Sequence, residues 1–154
     1  MRATVLTIST SIARGEGEDV SGLRLVELCE AAGLEVSHET VSDDRGEIAA
    51  VLKRLADHER VRFVFTTGGT GFTPDDVTPE ATRDVMEREA PGYAEAIRAD
   101  SRHHTPLGIL TRGVSGVRRR TLIVNFPGNP KAIDQSWPVV EPTLKHAATT
   151  LERA

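Results

Sequence analysis

The sequence predicts a three-layer α/β fold, a mainly parallel sheet with helices on both faces. Three observations carry this expectation. Strand-like and helix-like stretches alternate along the chain, which implies strand–helix–strand crossovers and parallel pairing. Residues 61–67 form a near-continuous apolar run, as a strand covered on both faces requires. Helix-start residues stand where such crossovers need them, at Thr78-Pro79 and Asn129-Pro130.

The elements follow in order. Residues 4–8 are mostly β-branched and read as a first strand. Residues 19–32 set Leu25, Val26, Leu28, Cys29 and Ala32 at helical spacing. Ser21 or Asp19 suits the N-cap of that helix, and Gly33 suits its end. Residues 35–41 read as a polar edge strand. Residues 45–58 form a second helix with Ile48, Val51, Leu52 and Leu55 on one face. Residues 61–67 are the central strand, followed by a glycine loop. A third helix runs over 79–89, with Thr78 as N-cap and Pro79 in the first helical position. Residues 91–98 suggest a shorter helix, and 106–111 and 121–126 two more strands. Residues 130–151 read as helical, kinked near Pro138 and Pro142.

A chain of 154 residues favours a single domain over 1–154, large enough to bury a core without disulfides. The net charge of −4 argues against nucleic acid, whose partners carry a basic surplus. It leaves small anionic ligands open, because loops and helix N-termini bind those locally. Cys29 is the only cysteine, so no internal disulfide forms and a reducing compartment fits. The apolar stretch at the N-terminus is too short for a signal peptide or a membrane span. A cytoplasmic protein is expected.

In sheets of this kind ligands bind beyond the carboxyl ends of the strands. Thr67-Gly68-Gly69-Thr70-Gly71 starts at the end of the most hydrophobic strand. Three glycines in four positions let backbone N–H groups turn toward a ligand, and the next helix points its N-terminus at the same place. A tight turn that needs glycine for geometry alone is the competing account. The loop lacks the Gly-Lys-Ser/Thr ending of a P-loop and the G-x-G-x-x-G of a dinucleotide site. A second loop, Pro127-Gly128-Asn129-Pro130, follows strand 121–126 and should share that sheet edge. Asn129 capping a helix that opens on Pro130 explains part of it without any ligand. A capped helix start is itself an anion site, so the two readings are compatible.

Thr67-Gly68-Gly69-Thr70-Gly71 followed by Asp76-Val77-Thr78-Pro79-Glu80-Ala81-Thr82 resembles the signature of the MogA/MoaB family of molybdenum-cofactor assembly. Asn125-Phe126-Pro127-Gly128-Asn129-Pro130-Lys131-Ala132 resembles that family's other signature loop. The resemblance covers nearly the whole chain. It implies a molybdopterin-binding fold that takes molybdopterin and ATP as substrates. It implies adenylyl transfer to the terminal phosphate of molybdopterin, commonly in a homotrimer, with contacts to other cofactor-assembly proteins. Acidic residues matching Asp76 and Asp43 are associated in the family with magnesium and catalysis. Asp75 and Asp44 are the adjacent alternatives, and helix capping is the plain account of Asp43 and Asp44. Gly116-Val117-Arg118 matches a further family unit, which makes Ser115 and Arg118 candidates for phosphate contact. A solvated turn is the alternative there.

The chain departs from the family after its first strand. Ser9-Thr10-Ser11 lacks the usual acidic residue, and Leu23 replaces the proline after Asp19-Val20-Ser21-Gly22. Two other functions share the motifs: a module that binds molybdopterin without catalysis, and a CinA-like nucleotide pyrophosphatase. His103-His104, Cys29, Trp137 and Tyr93 read as surface or packing residues.

Overall fold

The computed structural model describes residues 1–153. The strands are β1 (Arg2–Ile8), β2 (Glu35–Val41), β3 (Phe63–Thr67), β4 (Arg88–Glu89), β5 (Ser115–Arg118) and β6 (Thr121–Phe126). The helices are α1 (Thr10–Ala13), α2 (Val20–Ala31), α3 (Arg45–Asp57), α4 (Thr78–Val85), α5 (Pro91–His104), α6 (Pro130–Val140) and α7 (Leu144–Leu151). The six strands form one sheet in the order β2-β1-β3-β6-β5-β4. The pairs among β2, β1, β3 and β6 are parallel, and β5 and β4 add antiparallel pairs at one edge.

Strand alternation sorts the core onto two faces. Val5, Phe63, Phe65, Val124 and Phe126 pack against Leu25, Cys29, Ile97, Ile133, Trp137 and Leu151 of α2, α5, α6 and α7. Leu6, Ile8, Val64 and Ile123 pack against Ile48, Leu52, Leu55, Ala81 and Val85 of α3 and α4. Phe65 sits at the middle of the first face, edge-on to Phe126 and Trp137 at 5.8 and 5.5 Å. Cys29 is fully buried in this layer, and burial pushes its thiol up to about 12.

Several local expectations are corrected. Residues 106–111 are not a strand: Pro106–Leu110 is a 3₁₀ turn opened by Thr105 Oγ1, which accepts from Leu107 N. Pro106 and Gly108 suit a turn better than a ladder, and Gly108 lies so close to Ser101 that a side chain there would clash at 2.6 Å. The third helix stops at Val85, because Met86 turns extended and leads into β4. Residues 115–118, assigned to no strand from the sequence, are β5; its Gly116 has no room for a Cβ against Met86 and against Arg88 of β4. Thr78 is the first helical residue of α4, not its cap, and its hydroxyl serves the glycine loop instead. The helix from Pro91 also runs on to His104. Pro138 stays inside α6, and the break falls at 141–143 around Pro142. Asp19 is the N-cap of α2, accepting from Gly22 N at 2.9 Å.

Candidate anion site at the carboxyl ends of the parallel strands

The register of the sheet brings both glycine loops to one edge. Thr67 pairs with Phe126 and with Thr7, so the loops after β3 and β6 leave the sheet side by side. Thr67 Oγ1 donates to Pro127 O at 2.8 Å. A Cβ on Gly128 would stand 3.1 Å from Gly68 Cα. The two loops therefore touch backbone to backbone, which only glycine permits at this spacing.

Gly68 and Gly69 both have left-handed backbones, φ +102° and +69°. Gly68 lies against Ile8 O, and Gly69 against Thr78 Oγ1. Thr78 closes the loop: its N–H donates to Gly69 O at 3.1 Å and its hydroxyl to Gly68 O at 2.9 Å. A buried relay supports it from below. Asn125 Nδ2 donates to Thr66 and Thr82 hydroxyls, and Thr82 Oγ1 donates to Thr78 O. The loop's carbonyls are thus engaged, while the N–H groups of Gly69, Thr70, Gly71 and Phe72 donate to no atom of the described residues. Consecutive free donors of this kind form a concavity for an anion.

Asp43 and Asp76 flank this run. Asp43 Oδ2 accepts from Thr10 N at 3.0 Å and Thr10 Oγ1 at 3.2 Å, and Asp43 N donates back to Thr10 Oγ1. Asp43 Oδ1 stands 3.5 Å from where a Gly69 side chain would begin. Asp76 Oδ2 accepts from Thr73 N and Thr73 Oγ1, both at 2.9 Å, and lies against Gly71. In each carboxylate Oδ2 is held by a threonine and Oδ1 has no hydrogen-bond partner among the described residues. The neighbours behave differently. Asp44 is exposed and caps α3 through Glu47 N, and Asp75 is exposed. Thr10, which stands in the segment lacking the family's acidic residue, is the residue that orients Asp43. Among the described residues no group of three or more His, Cys, Asp or Glu side chains gathers as a self-sufficient metal site.

The remaining candidates divide. Asn129 Oδ1 caps α6, accepting from Lys131 N at 2.9 Å and Ala132 N at 3.4 Å, and Pro130 occupies its first turn. Both stay at the shared edge, Pro130 beside Asp19, Val20 and Leu23. Thr70 is buried, its hydroxyl accepting from Thr111 at 3.3 Å. Ser115 is also buried, donating to Ala90 O at 2.6 Å and accepting from Ala94 N at 3.1 Å, so it holds the start of α5. Arg118 faces the opposite end of the sheet, beside Thr121 at the start of β6. It forks onto Asp57, which holds that carboxyl below its ordinary range.

Two groups escaped sequence reasoning. Thr7 Oγ1 donates to Asp19 Oδ2 at 2.6 Å, and His38 Nε2 lies 2.8 Å from the same oxygen. They lock the N-terminus of α2 beside the end of β1, and Gly22 has no room for a side chain against them. Their signal was the Asp-x-x-Gly spacing alone. Arg112 reaches the glycine loop from the turn before β5; its place after a supposed strand hid it.

The profile described as a probable molybdopterin binding domain matches residues 4–146. The molybdopterin adenylyltransferase of Helicobacter pylori is 37% identical over 92% of this chain and 82% of its own length. The molybdenum cofactor synthesis protein cinnamon of Drosophila melanogaster is 39% identical over 93% of this chain, which spans only 24% of that longer protein. The crystal structure of the molybdopterin biosynthesis enzyme MoaB from Thermus thermophilus superposes with a TM-score of 0.91 at 42% identity, covering 99% of this chain and 97% of that one. The chain belongs to the family of probable molybdopterin binding domains.

Proposed function

We propose that this chain, as one domain over 1–154, binds molybdopterin and transfers the adenylyl group of ATP to its terminal phosphate. The observation that carries this reading is the run of four unpaired N–H donors between two half-occupied carboxylates. A phosphate monoester is largely ionised near neutral pH, its second pKa being roughly 6, so the nucleophile needs no strong base. Its oxygen forms a bond to the α-phosphorus of ATP, the α–β bridging bond breaks, and pyrophosphate leaves with the electron pair. The obstacle is repulsion between two polyanions, which loop donors and the α4 N-terminus relieve.

Asp43 and Asp76 fit a magnesium ion, which takes one or two carboxylate oxygens and fills its shell with substrate phosphates and water. Each has Oδ1 to offer, and the threonine on Oδ2 fixes its direction. When bound there, magnesium supplies positive charge between the phosphates of the two substrates. The test is the magnesium activation curve of Asp76→Asn and Asp43→Asn. Activation should move to higher magnesium in both, with Asp44→Asn unchanged. Full transfer by Asp76→Asn at limiting magnesium refutes the metal role.

A cytoplasmic homotrimer that meets other cofactor-assembly proteins completes the reading. Among the described residues no helix is long and apolar enough to cross a membrane. Leu107, Ile109 and Phe72 are 68%, 62% and 70% exposed, apolar surface that suits assembly. Light scattering tests the trimer: a monomer at micromolar concentration refutes it.

A further inference from the structure

We infer that Arg112 is a positioning residue that orients the donors of the glycine loop, rather than a phosphate ligand. The inference rests on the reading of that loop as an anion site.

Arg112 spends its hydrogen-bonding capacity on the protein. Its backbone N–H donates to Thr70 O at 2.8 Å. Nε donates to Gly71 O and Nη2 to Asp76 O, both at 2.7 Å. Nη1 and Nη2 also fork onto the Glu80 carboxylate at 2.9 and 3.2 Å. A guanidinium has five N–H groups in a rigid plane. With these bonds made, little remains for a ligand, and the Glu80 carboxylate offsets the charge.

The consequence lies in the peptide planes. No peptide bond among the described residues is cis, so in each unit the carbonyl and the next residue's N–H point opposite ways. Drawing Thr70 O, Gly71 O and Asp76 O toward Arg112 turns the N–H groups of Gly71, Phe72 and Val77 away from it. Two of these, Gly71 and Phe72, belong to the unpaired run. The same guanidinium holds the main chain of Asp76 and the first turn of α4 through Glu80. One plane thus sets the donors, one carboxylate and the helix N-terminus relative to each other. The anchor is itself fixed: Arg98 Nη1 of α5 donates to Gly113 O at 2.7 Å, and Thr111 bonds Thr70.

Lysine keeps the charge opposite Glu80, but a single ammonium cannot span Gly71 O, Asp76 O and Glu80 as the planar fork does. In Arg112→Lys, adenylyl transfer should fall about 100-fold, with kcat carrying most of the loss, as misplacement of a preorganised site predicts. In Glu80→Gln/Arg112→Gln, where neither charge is left without its partner, the loss should persist. Wild-type activity in Arg112→Lys, or recovery of wild-type kcat in the double variant, overturns the inference, because charge balance would then suffice. A second readout is independent of catalysis. In wild type the amide resonances of Gly69 to Phe72 should shift on titration with inorganic pyrophosphate. In Arg112→Lys those of Gly71 and Phe72 should be displaced without ligand and respond weakly, with β1 resonances unchanged. Identical Gly71 and Phe72 resonances in both proteins also overturn it. An inactive wild type whose loop amides still titrate removes the transferase reading and leaves this inference standing.

Discussion

Replacing Gly68 by alanine measures how tightly the anion loop is tied to the sheet. Two costs add. The residue holds φ +102°, a conformation that strains an L side chain by about 1–3 kcal/mol. Its new Cβ would lie 2.4 Å from Ile8 O, where ordinary contact begins near 3.4 Å. The obstacle is backbone at the carboxyl end of β1, a strand paired on both sides, and cannot swing aside like the tip of a side chain. Forcing it costs a further ~1–3 kcal/mol as overpacking does. The total is about 2–6 kcal/mol, which at ~2–4 °C per kcal/mol lowers the melting temperature by roughly 10 °C. Gly17→Ala is the control, since Gly17 has φ +80° but nothing within 4 Å of its Cβ. It carries the conformational cost alone, about 1–3 kcal/mol. Urea denaturation of both variants decides the matter. Equal losses would show that Gly68 is not pressed against β1, and the close approach of loop and strand would be wrong.

Other outcomes follow from the same structure. Ser115→Ala strands Ala90 O and Ala94 N and should cost about 1–3 kcal/mol in denaturant, with the Kd for molybdopterin unchanged; weakened binding would return Ser115 to the site. Asp57→Asn should destabilise the fold at neutral pH. Its carboxyl is held below the usual 3.8 first by the Arg118 fork, so its contribution is present above that value and fades as pH falls through the depressed one. Melting curves of wild type and variant should therefore converge in acid, and a gap independent of pH would contradict the assignment. Cys29, with its thiol near 12, should ignore a thiol reagent at pH 8 until the protein is unfolded, whereas rapid labelling of the native protein would place it outside the core.

The parallel half of the sheet was legible because burial on both faces leaves an uninterrupted apolar run, as at Phe63-Val64-Phe65. The antiparallel edge was not. β4 has two residues, both exposed, and β5 ends in two half-buried ones, so neither carries a hydrophobic period. Pro106-Leu107-Gly108-Ile109-Leu110 looks strand-like from its apolar residues, yet Leu107 and Ile109 face outward. At the site, the loops and both carboxylates were visible as motif residues. The resemblance named Asp43 and Asp76 with Asp44 and Asp75 as alternatives; the fold adds that Asp44 caps α3 while Asp43 and Asp76 each lie against a glycine of the loop. At Ser115 the fold supplies what a motif cannot: a serine donates as readily to a buried carbonyl, here Ala90 O, as to a phosphate. Arg112 and His38 act across long sequence separations, and no local pattern announces such partners.

Incubating the protein with molybdopterin, ATP and magnesium and separating the products decides whether it transfers the adenylyl group. Adenylyl-molybdopterin and pyrophosphate should form in equal amounts, abolished together in the Asp43→Asn/Asp76→Asn double variant. Tight binding of molybdopterin with neither product would contradict the transferase and leave a binding module. Hydrolysis of ADP-ribose in its place would make the chain a pyrophosphatase.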